Sequence, residues 1–321
     1  MSMKTLWTHQ SDEKSIKSKR YKDMKKLLMT LIALPMLMMS CNDEMALSEE
    51  TVEVRFEAEI PAFVGTRAGD GLTVNKLVCA VFENGQEIVG HRKTIDVTSA
   101  SGITYSPRLV KGRTYQVAFW AMKGGNYDVD DMTCITRSAT GSANEADYDA
   151  FTATSEVTVV NAESKSVSLT RPLAQLNIGI TADDWTTASD IFGQTPTTCT
   201  ISYTAKDAFN ALAGVAVGND AEVVRTVEAS GNDLTVENVA YKHLGSCYVL
   251  MAEDNKTNLD ITLSVFDQNT PAQSIRENVS ILSVPFERNY KTNLVGGLLT
   301  GTVTYNVSIE QGFSGNNKQG I

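Results

Sequence analysis

Apolar and polar residues alternate without error from Val52 to Ile60: Val52, Val54, Phe56, Ala58 and Ile60 are separated by Glu53, Arg55, Glu57 and Glu59. A period of two is that of a strand with one buried face. Similar short runs predict strands at 76–83, 87–89, 93–97, 114–122, 156–160 and 166–169. Past Arg171-Pro172 they resume at 173–181, 199–205, 221–226, 247–252, 260–266, 281–286 and 302–309. Turn signals such as Asn84-Gly85, Gly124-Gly125-Asn126 and Gly231-Asn232-Asp233 fall between them. Helical spacing is confined to 182–192, 207–212 and 291–299. So many short strands with so little helix predict an all-β chain of two antiparallel β-sandwich domains, with a border at Arg171.

The first forty residues follow a different pattern. Lys25 and Lys26 precede the apolar run Leu27–Met39, whose one polar interruption is Thr30, and Ser40-Cys41 follow. A basic start, a short apolar core and a small residue before cysteine make a lipoprotein signal peptide with Cys41 as the lipidated residue. The run falls short of the roughly 20 residues a helix needs to span the hydrocarbon core. Residues 1–23 are polar and basic, and Met24 is an alternative start to Met1. Residues 1–41 are therefore leader and signal, outside the fold. Between the alternating strand and the next lies Gly65-Thr-Arg67-Ala68-Gly-Asp-Gly71, a Gly-flanked, polar segment that includes an arginine. Such segments are where proteolysis concentrates, and Arg67-Ala68 is the candidate scissile bond.

Charge narrows the partners. The chain has 28 basic and 38 acidic residues, of which 8 and 3 precede Asn42, leaving 20 and 35 and a net charge near -15. Nucleic-acid binding needs clustered Lys and Arg and is excluded. Catalytic motifs are missing too. His91 and His243 are the histidines after Cys41, and there is no HExxH, GxSxG or P-loop pattern. The expectation is no enzyme, no cofactor and no metal. Asp128, Asp130, Asp131, Glu145, Asp147 and Asp149 form an acidic stretch without the spacing of a calcium loop. Trp120 and Trp185 are the residues that could stack on a sugar, although their apolar neighbours favour core positions. Cys79, Cys134, Cys199 and Cys247 allow three disulfide pairings between which the spacing does not choose.

The lipoprotein signal, the Thr66-Arg-Ala-Gly69 segment, LTRPLAQLNIGI at 169–180 and VPFERNYKTNLVGGLLT at 284–300 together resemble the fimbrillin-type surface lipoproteins of Bacteroidales, the subunits of type V pili and their relatives. That resemblance covers most of the exported chain. It implies transthyretin-like or Ig-like sandwich domains at 68–170 and 171–321, export to the outer membrane as a lipoprotein, a cut by an arginine-specific protease after Arg67, and loss of a propeptide at 42–67. It further implies assembly with other pilus subunits by strand exchange and a role in adhesion, with host protein or glycan as further partners.

The residues fit that scheme. Withdrawing the face formed by Val52, Val54, Phe56, Ala58 and Ile60 would expose apolar surface worth on the order of 6 to 12 kcal/mol, comparable with the whole stability of a domain. Val303, Tyr305, Val307 and Ile309 alternate with polar residues in the last strand and make it the candidate donor to a neighbour's groove. Alternatively the chain is a monomeric surface lipoprotein that binds glycans or host protein and keeps its first strand.

Overall fold

The computed structural model describes residues 49–61, 73–251, 256–269 and 272–311. The chain divides into two units, Met1–Glu50 and Thr51–Ile321, and every described strand lies in the second. Eleven strands precede the Arg171-Pro172 step. They are β1 (Thr51–Glu59), β2 (Lys76–Glu83), β3 (Gln86–Glu87), β4 (Lys93–Asp96), β5 (Ile103–Tyr105), β6 (Arg108–Val110), β7 (Thr114–Met122), β8 (Tyr127–Asp128), β9 (Ile135–Arg137), β10 (Ala150–Thr158) and β11 (Glu163–Ser168). Nine follow: β12 (Leu173–Ile180), β13 (Thr198–Asn210), β14 (Val215–Glu228), β15 (Asp233–Val236), β16 (Val239–Leu250), β17 (Thr257–Phe266), β18 (Ser274–Phe286), β19 (Tyr290–Gly297) and β20 (Thr304–Gln311). Helix α1 (Ala182–Phe192) is capped by Thr181, whose side chain accepts from the Asp184 amide, and ends at Gly193 with φ +64°.

These strands build an all-β fold of two sandwiches. In the first, β11-β1-β5, with β6 also on β1, faces β10-β7-β2-β3, with β4 also on β2. In the second, β15-β16-β12-β19-β20 faces β18-β17-β13-β9-β8, with β14 also on β13. Pairing is antiparallel except for β1 with β11 and β12 with β19. The β8-β9 hairpin precedes residue 170, yet through Ala208↔Thr136 and Phe209↔Ile135 it extends a sheet of the second sandwich.

Three apolar cores account for the strand patterns. One face of β2 and β7 (Leu77, Cys79, Val81, Val117, Phe119, Ala121) packs with Val54, Phe56 and Leu109 inside the first sandwich. Their other face (Val78, Ala80, Phe82, Ala118, Trp120, Met122) meets Ile135, Leu173, Phe209 and Tyr248 between the sandwiches. Burial on both faces makes KLVCAVFE and YQVAFWAM near-continuous apolar runs instead of alternations. The third core, inside the second sandwich, holds Leu176, Ile178, Ile201, Leu263, Ile281 and Leu294.

Of the three segments with helical spacing, 182–192 is helix. Asp207–Asn210 ends β13, and 290–297 is β19. Thr292, Asn293, Leu294 and Val295 are all buried, so β19 takes both faces into packed surroundings, and its apolar spacing imitates a helix although its hydrogen bonds go to β12 and β20. All four described cysteines are free thiols, Cys134 exposed and the others buried.

Candidate strand-exchange site

β1 lies in the middle of its sheet. On one side Val54 to Glu59 run parallel to Glu163–Ser168 of β11. On the other, Phe56–Ala58 pair with β5 and Thr51–Glu53 with β6, the Val54 amide bonding to Pro107 O at 3.0 Å across the gap. Among the described residues every pairing in that sheet involves β1, so there β11, β5 and β6 have no other ladder partner.

Burial follows the alternation. Val54 and Phe56 are 0 % exposed, Ala58 1 % and Ile60 3 %, with Val52 half-buried, while Glu53, Arg55, Glu57 and Glu59 face solvent. Phe56 stands between the rings of Tyr105, 6.2 Å away and stacked, and Phe119, 5.7 Å away and tilted. Close by are the Cys79 thiol and the Tyr105 phenol, both with pKa pushed up by burial. The phenol donates to the His91 carbonyl. Withdrawal of β1 would leave a dry, aromatic-floored groove with unpaired backbone on both walls.

β20 differs in every one of these respects. Among the described residues it occupies an edge and pairs with β19 alone, from Gly297↔Thr304 to Tyr290↔Gln311. None of the residues 303–310 is fully buried. Val303 and Val307 pack partly on the core of the second sandwich, Ile309 is half-buried and Tyr305 is 40 % exposed. Gly296 permits the contact, since a Cβ there would meet Thr304 O at 2.0 Å and Tyr305 Cα at 2.7 Å. The turn leading into β20 is gripped by the buried Asp184 carboxylate, which accepts from the amides of Leu298 (2.7 Å), Leu299 (2.8 Å) and Thr300 (2.8 Å) and from Thr300 Oγ1 (2.6 Å). Nothing in the sequence marked Asp184 except its place in the first helical turn.

Cys41, Arg67 and Ala68 lie outside the described residues. Residues of the acidic stretch have local roles. Glu145 binds Arg137 at 2.7 Å, Asp147 binds Lys123 at 2.6 Å, and Asp149 binds Arg171 at 2.7 Å, while Asp128 and Asp131 accept from amides two residues on. Burial alone would raise the Asp147 pKa, but hydrogen bonds from Lys123 and Ser142 bring it below the usual carboxylate range. Among the described residues no group of His, Cys, Asp and Glu is placed to hold a metal ion. Trp120 is 0 % exposed and edge-on to Tyr127, a core residue with no face for a sugar, and Trp185 packs partly on the core of the second sandwich. A cavity of about 310 Å³ opens beneath the β13-β14 hairpin, lined among others by Tyr127, Arg137, Tyr203, Arg225 and Tyr248. One polar row went unseen in the sequence. His243 Nε2 lies 2.7 Å from Ser246 Oγ, Ser246 donates to Asn177 at 2.8 Å, and Asn177 donates to Asn293 at 2.9 Å, linking β16, β12 and β19 across one sheet face.

A family model described as "Family of unknown function (DUF6562)" matches residues 45–320. No curated protein matches the chain by sequence. Among solved structures, a Bacteroides thetaiotaomicron protein of family DUF1812 aligns at 12% identity and TM-score 0.47, over 81% of this chain and 98% of that one. A candidate adhesin from Bacteroides ovatus aligns at 11% and 0.48, over 88% and 100%. The fimbrial anchor protein Mfa2 from Porphyromonas gingivalis aligns at 11% and 0.43, over 77% and 91%.

Proposed function

The chain belongs to the DUF6562 family, whose function is unknown, and from that premise we propose that it is a non-catalytic, fimbrillin-like subunit of a cell-surface pilus supporting adhesion. In this reading Cys41 is acylated and holds the precursor in the outer membrane. A cut after Arg67 then frees the propeptide 42–67, leaving sandwich domains at 68–170 and 171–321. The carrying observation is the place of β1: an N-terminal strand through which every pairing of its sheet passes, followed a few residues later by the arginine. A sheet that loses its central strand exposes apolar side chains and two unpaired edges, and a neighbour's strand restores both. β20 is the donor in this reading, because as a half-buried edge strand it leaves its own sheet at low cost.

The test is processing. Arginine-specific protease acting on the folded chain should give a product beginning at Ala68, and Cys41→Ala should abolish fatty-acid labelling and membrane attachment. Equal cutting at Arg92, Arg113 or Arg137, or normal labelling of the Cys41 variant, would count against the scheme. The cavity lined by Tyr127, Tyr203, Arg137 and Arg225 favours a second reading, a monomeric surface lipoprotein that binds a glycan or host protein and keeps β1. Uncut, acylated protein as the form on the cell would support it.

A further inference from the structure

The cavity beneath the β13-β14 hairpin has two unspent hydrogen-bond donors in its wall, and we propose that it binds an acidic sugar, one ring with its carboxylate against Arg225 and Trp120. The proposal rests on the second reading above, whose cavity it fills, and not on the fate of β1. At about 310 Å³ the space is at the small end of ligand pockets, which start at roughly 300 Å³. It suits one ring better than a chain.

Two guanidiniums line the cavity and share one carboxylate. Glu145 gives both oxygens to Arg137, at 2.7 and 3.1 Å, and Arg137 also donates to Tyr248 O at 3.1 Å. Arg225 Nε is left 3.7 Å from Glu145, beyond hydrogen-bond distance, and Nη1 makes a long bond of 3.4 Å to Val224 O. That Nε and the Nε1 of the fully buried Trp120 have no hydrogen-bond partner among the described residues. Unpaired buried donors are rare, and these two, one of them on a cation that shares its only anion, suit a carboxylate. Burial raises the pKa of the Tyr127 and Tyr203 phenols, so both stay neutral and add no competing charge. Asp207 and Glu222 also line the cavity, but both residues are exposed, so their carboxylates belong to its outer rim. There they accept from hydroxyl groups and repel a second acid. Ile135, Leu173 and Val223 supply apolar wall. An acid carried on a hydroxylated ring meets every part of this lining, whereas a neutral sugar leaves the cation unmet and an aromatic acid leaves the rim unmet.

The Trp120 indole N–H resonance of the full-length chain, assigned through Trp120→Phe, reports occupancy. Sodium glucuronate should shift it saturably, and glucose and sodium benzoate should bind at least about tenfold more weakly, the scale of one charge-assisted hydrogen bond. Arg225→Gln keeps the Arg137–Glu145 pair and should weaken glucuronate by at least about tenfold. Glucose bound as tightly as glucuronate, or glucuronate undiminished in Arg225→Gln, overturns the acid recognition and leaves the glycan reading standing. Benzoate bound as tightly overturns the sugar. No shift with any of the three overturns this inference and the glycan form of the second reading with it. Should Arg225→Gln fail to fold, the comparison of the three compounds on the parent chain decides alone.

Discussion

Phe56 and Tyr305 make opposite demands on the uncut protein. Phe56 is fully buried against two rings, so Phe56→Ala should destabilise the full chain by about 3–5 kcal/mol in urea denaturation. Tyr305→Ala should change stability by about 0.5 kcal/mol or less, as expected of an exposed side chain. A large loss from Tyr305→Ala would mean that β20 is anchored far more firmly than its burial indicates. The cysteines divide in the same way. Burial pushes the Cys199 thiol up to about 12 and raises Cys79 and Cys247 as well, so all three stay protonated at pH 8 and are shielded besides. Iodoacetamide should label Cys134 in the native protein and the other three once denaturant is added. Rapid native labelling of Cys199 would contradict the packing inside the second sandwich.

At the scale of elements, Gly296 controls how closely β20 approaches β19. A methyl group there would collide with Thr304 O and Tyr305 Cα, so Gly296→Ala should speed amide exchange of 304–311 while β12 and β16 stay protected. Uniformly faster exchange across the second sandwich would show that β20 belongs to its cooperative core. Strands buried on one face, such as β1, or on both, such as β2 and β7, were legible in the sequence because burial writes itself into the apolar pattern. β19 was misread as helix because it is buried on both faces but studded with Thr292 and Asn293, which destroys the period of two. β5 and β6 escaped notice since each has three residues and Ser106-Pro107 separates them. The row from His243 through Ser246 and Asn177 to Asn293 draws on three strands far apart in sequence, and no local window contains it.

For the molecule as a whole, the two segments that best carried the family resemblance form its hub. β12, from LTRPLAQLNIGI, pairs along its length with β19, from VPFERNYKTNLVGGLLT. Arg171 at the step between the sandwiches is 0 % exposed, pairs with Asp149 of the first half, reaches Asn289 of the second at 3.2 Å and lies 4.6 Å over the Phe151 ring. Removing one member of a buried pair strands the other, so Arg171→Met should cost about 3–5 kcal/mol in denaturant, and adding Asp149→Leu should recover part of it. Additive losses would show that the two charges do not interact. Those two segments include neither β1 nor the Arg67 segment, on which the functional account depends. That account stands on the loss of β1, and the N-terminal residue of the protein sheared from the cell surface measures it most directly. Edman sequencing should begin at Ala68, with β1 gone from the assembled form. A start at acylated Cys41, or anywhere before Thr51, would mean that β1 stays in its sheet and that no strand is exchanged.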